Sequence, residues 1–144
     1  MSESSERTVI TRRDVSGVAA PIGRYSHVVV AAPGVAIAYI SGQIGADAQG
    51  RLAGPGAREQ TSAAFANIAA ILADLGTAPA AVIKLLTFVA GAEHLPGFAA
   101  ARDEVFDVWF PNGDPPAHSL AIVAGLSQPD LVVEIEAVVG VVPG

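Results

Sequence analysis

The sequence predicts an α/β fold of the α+β two-layer sandwich type, a mixed six-stranded sheet with two helices on one face. Three observations point there. Six short segments rich in valine, isoleucine and alanine are bounded by turn residues, and two longer segments carry apolar residues at helical spacing. Their order along the chain is β-β-β-α-β-α-β-β, and 144 residues make a single domain, 1–144. A domain of this length hides roughly 68–70% of its unfolded surface without disulfides or metals.

Residues 1–7 read as a frayed polar tail, and residues 8–15 as a short edge strand ending at Arg12, Arg13 and Asp14. Ala20-Pro21-Ile22-Gly23 is a turn or extended loop. Residues 28–32 and 35–44 form a hairpin around Pro33-Gly34. The absence of charge from Val28 to Ala46 raises the question of a membrane span, but Pro33-Gly34 and Ser41-Gly42-Gln43 interrupt it, and two buried strands fit better. After a Gly- and Asp-rich loop, residues 57–75 are helical: Phe65, Ile68, Leu72 and Leu75 share a face, and Gly76 and Pro79 end it. Residues 82–89 (VIKLLTFV) suit a buried strand. The second helix spans 96–110, with Pro96 in its first turn and Phe98, Val105 and Trp109, with Ala101 or Arg102, on one face. Strands at 118–124 and 131–139 follow the Pro111–Pro116 stop. With both helices on one face, the other face of so apolar a sheet calls for cover by a second chain.

Composition excludes several functions. Eight basic against fourteen acidic residues give a net charge of −6, and Lys84 is the single lysine, so a nucleic-acid backbone is not an expected partner. With 51% apolar residues the chain is not a disordered one. No cysteine means no disulfide, thiolate metal site or thiol nucleophile. The polar start is no signal peptide, which agrees with a cytoplasmic location. There is no phosphate-binding glycine loop or G-x-S-x-G elbow, and His27, His94 and His118 lack metal-ligand spacing.

Four clusters remain. Ile22-Gly23-Arg24-Tyr25-Ser26-His27 is a polar loop before an apolar strand. In Tyr39-Ile40-Ser41-Gly42-Gln43-Ile44 the glycine makes either a bulge or room for a close approach to the backbone. Pro115-Pro116-Ala117-His118-Ser119-Leu120 is a rigid turn that sets His118 at a strand start, a place where histidines are usually solvent-facing or satisfied by a neighbour. In Val133-Glu134-Ile135-Glu136-Ala137, alternation puts Glu134 and Glu136 on one face, either as a solvated stripe or as a carboxylate in a cleft that moves a proton.

In this order the clusters, with Thr87-Phe88-Val89, resemble the RidA/YjgF family of reactive enamine/imine deaminases, also described as endoribonuclease L-PSP-like. The resemblance covers about residues 21–139. It implies a chorismate-mutase-like homotrimer with pockets at its subunit interfaces, a small-molecule substrate, and no metal or organic cofactor. It also implies hydrolysis of a C=N bond to a ketone or aldehyde plus ammonia. Carried over residue by residue, Glu134 and Ser41 are the catalytic candidates, and Tyr25, Gly42, Gln43, His118, Leu120 and Arg24 are the substrate-binding ones. The family's pocket arginine, which clamps a substrate carboxylate, is replaced here by His118, and a common cysteine by Leu120. Loss of a charge-assisted bidentate contact forfeits ~1.5–3 kcal/mol, one to two decades in selectivity. Arg24, where relatives often carry proline, is a candidate replacement cation; otherwise the substrate is less acidic than an amino-acid imine. A non-catalytic trimer that binds a small metabolite is the alternative, and the net charge argues against endoribonuclease activity.

Overall fold

Helix α1 (Ala57–Asp74) and helix α2 (Leu95–Trp109) pack against each other on one side of a mixed sheet in the computed structural model, which describes residues 9–143. The expected tail at 1–7 and the first residue of the first strand lie outside the described residues. The strands are β1 (Ile10–Arg13), β2 (Val28–Ala31), β3 (Ala36–Gln43), β4 (Val82–Ala90), β5 (Ala117–Val123) and β6 (Val133–Val141). The predicted fold class and element order hold. The six strands divide into a four-stranded sheet, β3-β6-β4-β5, and a separate β1-β2 ribbon. Only β4 and β5 run parallel, joined through α2; β6 lies antiparallel to both β3 and β4.

The expected hairpin of residues 28–32 and 35–44 does not form: β2 pairs with β1, and β3 pairs with β6. The turn explains this. Pro33 in its second position and Gly34 at φ +82 in its third, closed by Val35 N–H donating to Ala32 O at 3.2 Å, have the type II signature. Type II turns splay the flanking strands, whereas two-residue hairpins need the mirror-image types. Arg12 anchors the resulting ribbon: its Nη2 donates to Ala80 O at 3.0 Å and Val82 O at 2.9 Å, and its guanidinium lies 4.9 Å from the Phe110 ring centre.

Helix α1 ends as its sequence indicates. Gly76 takes φ +71, its N–H donates to Ala73 O at 3.1 Å, and Thr77 N–H reaches back to Leu72 O at 3.0 Å, the Schellman arrangement. The core lies between helices and sheet. Phe65, Ile68 and Leu72 of α1 and Phe98 and Phe106 of α2 meet Leu85 and Val89 of β4 and Val133, Ile135 and Val139 of β6. Phe106 belongs to the buried face of α2, whereas Val105 and Trp109 pack only partly buried around it. Phe65 touches Phe106 and Trp109 edge-on, at 6.1 and 5.4 Å between ring centres. Gln60 is completely buried in α1. Its Nε2 donates to Gly54 O and Asp130 O, both at 2.9 Å, and its Oε1 accepts from Val132 N–H at 3.0 Å. One side chain thus pins together the loops that lead into α1 and β6.

The opposite sheet face carries Ile37 and Tyr39 from β3, Leu86 and Phe88 from β4, and Glu134, Glu136 and Val138 from β6. Tyr39 is 81% exposed and Ile37 41%.

Candidate functional site

Two groups of the predicted residues take shape on different sides of the sheet. The first surrounds a cavity of about 580 Å³ lined by the 22–25 loop, the inner face of α2 and the start of β5. Arg24, Tyr25, His118 and Leu120 all line it, together with Leu95, Phe98 and Arg102. The loop is tied down at Ser26, whose N–H donates to Pro116 O at 3.1 Å and whose hydroxyl donates to Pro115 O at 2.6 Å. His27 braces it from behind: Nδ1 accepts from Val15 N–H at 3.0 Å, which leaves Nε2 to donate to Ala19 O at 2.8 Å. Tyr25 turns its hydroxyl toward its own loop, where it accepts from Ile22 N–H at 3.3 Å.

His118 faces the helices. Its Nε2 lies 2.8 Å from Thr87 Oγ1, and its ring sits 6.3 and 6.2 Å from the centres of Phe98 and Phe106. Burial, then the charges of Arg102 and Lys84, push its pKa from 6.5 down to about 4, so it is neutral at pH 7. Arg24 also points to α2, with Nη1 3.0 Å from Asp107 Oδ1 and 3.5 Å from Asp103 Oδ1.

The second group lies on the open sheet face, where Glu134 is half-buried opposite Phe88 of β4. Beside it the β3–β6 register shifts between Ile40 and Gln43, a bulge that contains Ser41 and Gly42. A Cβ on Gly42 would stand 2.1 Å from Glu134 Oε2 and 2.7 Å from its Cδ. Gly42 therefore does both things its sequence left open: it sits in a bulge, and it makes room for the carboxylate against bare backbone. Ser41 is exposed next to it, and Gln43 Nε2 donates to Ser41 O at 3.1 Å, stiffening the bulge. Among the described residues Glu134 has no ion-pair partner, and no group of three or more His, Asp or Glu side chains gathers to hold a metal.

The sequence pattern of the Endoribonuclease L-PSP family matches residues 17–141. The chain belongs to this family. Among solved structures it is similar to the Yersinia pestis Rid-family protein YyfB, with 27% identity and a TM-score of 0.80 over 91% of this chain and 98% of that one. The Yersinia pestis Rid-family protein YyfA matches at 26% identity and TM-score 0.63, covering 92% and 99%. Both are described as proteins of unknown function. A YjgF-family protein of Neisseria meningitidis, at 23% identity and TM-score 0.62 over 95% and 98%, shares the fold. No curated protein is matched.

In this L-PSP-family chain the sheet separates the two groups. Thr87 and His118 lie on the helix side, while Phe88 and Glu134 lie on the other. Tyr25, Arg24, His118 and Leu120 come together, as do Ser41, Gly42, Gln43 and Glu134, but the two sets do not meet within one chain. Arg102 is the residue the sequence reading undervalued. Its place on the apolar face of α2 was visible as an alternative to Ala101, and an arginine on such a face is itself a signal. Among the described residues no helix is long and apolar enough to cross a membrane.

Proposed function

We propose that the chain is a RidA-like hydrolase of a reactive enamine or imine, acting in pockets formed where copies of a homotrimer meet. The observation that carries this reading is the Glu134 carboxylate laid against the bare backbone of Gly42 beside the exposed Ser41, on an apolar sheet face. A carboxylate so placed accepts a proton from water as the water oxygen attacks the C=N carbon. It passes this proton to nitrogen to give a carbinolamine, then carries the hydroxyl proton to nitrogen as the C–N bond breaks, leaving a ketone or aldehyde and ammonia. Ser41 and the bulge backbone orient the water. The other group of residues, on the helix side, joins this one only if a second copy brings its cavity to the open face. The exposed Tyr39 and Ile37 on that face favour such cover.

A non-catalytic metabolite-binding role is favoured by one observation: His118 is neutral and engaged with Thr87, so it offers no charge in place of the family's arginine. Ketone and ammonia release from imines generated in situ from several amino acids separates the two roles. Wild type should accelerate release, and Glu134→Gln should lose about 10²–10⁴-fold of it. If wild type is inert on every imine and His118→Arg gains nothing, the hydrolase reading is wrong. A monomer in light scattering at micromolar concentration would equally overturn the shared pocket.

A further inference from the structure

We propose that Arg102, on helix α2, supplies the cation with which the cavity holds a carboxylate of its substrate, in place of an arginine on strand β5. Three side chains that could carry positive charge line the cavity: Arg24, Arg102 and His118. Arg24 is committed to α2, where Asp107 and Asp103 hold its Nη1 and the Asp103 carbonyl accepts from it at 3.2 Å. His118 is neutral, with Nε2 occupied by Thr87. Nε and Nη2 of Arg24 have no protein partner among the described residues, but two carboxylates offset its charge, whereas Arg102 meets only one. Arg102 Nε donates to Asp103 Oδ1 at 2.8 Å, which orients the guanidinium plane, and among the described residues neither Nη1 nor Nη2 has a protein partner. The side chain is only 18% exposed, with its Cζ 5.6 and 6.0 Å from the ring centres of Phe98 and Phe106.

That setting suits carboxylate binding. A guanidinium on aromatic faces keeps its charge, is weakly hydrated, and presents a planar edge matching two carboxylate oxygens. Leu95, Phe98 and Leu120 wall the same space, and an apolar wall strengthens a contact made in front of it. Asp103 neutralises part of the charge but is shared with Arg24, which also draws on Asp107. Recognition therefore depends on direct contact with the free edge rather than on a long-range field. The consequence concerns substrate class: although strand β5 lacks its arginine, the cavity still selects an acid. The C=N part of that substrate rests on the hydrolase reading above; the anion contact does not.

The test is a titration of the intact protein with 2-oxobutanoate and with its neutral amide, followed by calorimetry. Wild type should bind the acid better than the amide. Arg102→Met keeps the stem over Phe98 and Phe106 and removes the charge, so it should weaken acid binding about 10- to 100-fold and leave the amide unchanged. Adding His118→Arg to Arg102→Met should recover part of the loss. Nitrogen-detected NMR of the arginine side chains in wild type covers the case of a variant that fails to fold, since the Arg102 signals should move as acid is added. Equal binding of acid and amide, unmoved Arg102 signals, or a folded Arg102→Met that loses less than twofold each overturns the proposal. Because no turnover is needed, a chain inert on all imines that binds 2-oxobutanoate through Arg102 keeps this inference and loses only the hydrolase reading.

Discussion

Replacing Gly42 with alanine isolates what the gap beside Glu134 does. The added Cβ would lie 2.1, 2.7 and 2.8 Å from Oε2, Cδ and Cγ of Glu134, whereas ordinary contact begins at 3.4 Å. The carboxylate must therefore withdraw by roughly 1.3 Å. Gly42 is not among the glycines with positive φ, so alanine fits the backbone. Forcing Glu134 off its rotamer costs about 0.5–1.5 kcal/mol, while alanine in place of glycine gains about 0.5–1 kcal/mol. The single variant should thus stay near wild-type stability. In a Glu134→Ala background the clash is gone and only the gain remains, so a double-mutant cycle in urea should show a coupling of about 0.5–1.5 kcal/mol. All four proteins need one concentration, since association shifts apparent stability. Imine turnover should fall about 100-fold in Gly42→Ala, because a shift near 1 Å in a reacting group costs about that much. Coupling below about 0.3 kcal/mol, or turnover within twofold of wild type, would refute the link between gap and carboxylate.

Two further outcomes follow from the same geometry. At Gly45 the added Cβ would meet backbone, 2.4 Å from Gln60 Cα and 2.6 Å from Gln60 O, so Gly45→Ala should destabilise by about 1–3 kcal/mol or more, clearly beyond Gly42→Ala; equal urea midpoints for the two would show that α1 yields there. His118 has a folded pKa of about 4 against 6.5 unfolded, so its contribution is complete above pH 6.5 and is lost as pH falls toward 4. That part amounts to at most about 3 kcal/mol, and His118→Asn should flatten the decline of melting temperature across this window; parallel curves for the two proteins would show that the fold does not hold His118 neutral.

Much of this was legible in the order of residues. Helical spacing at Phe65, Ile68 and Leu72, the glycine stop at Gly76 and the period-two alternation around Glu134 and Glu136 are local, repeating signals. They placed two helices and six strands, and the face on which the glutamates stand. The pairing of β2 was not legible, because Pro33-Gly34 marks a turn without saying which strands the turn will bring side by side. His118 was legible as an unusual residue in a motif but not as a neutral, half-buried one, since its partners Thr87, Phe98 and Phe106 come from β4 and α2. Arg102 stood in plain view on a helix face, yet its role depends on Asp103, Arg24 and the cavity they share.

The sequence by itself determined the fold class, the family motifs and the residue types available for chemistry, because these rest on periodicity and on short contiguous segments. Only the tertiary structure decided that Glu134 lies in the space left by Gly42, that the predicted site residues stand in two sets on opposite faces of one sheet, and which of the cavity's two arginines meets only one carboxylate. Those outcomes depend on register and on long-range side-chain contacts, which bring together atoms far apart along the chain and leave no local trace in it.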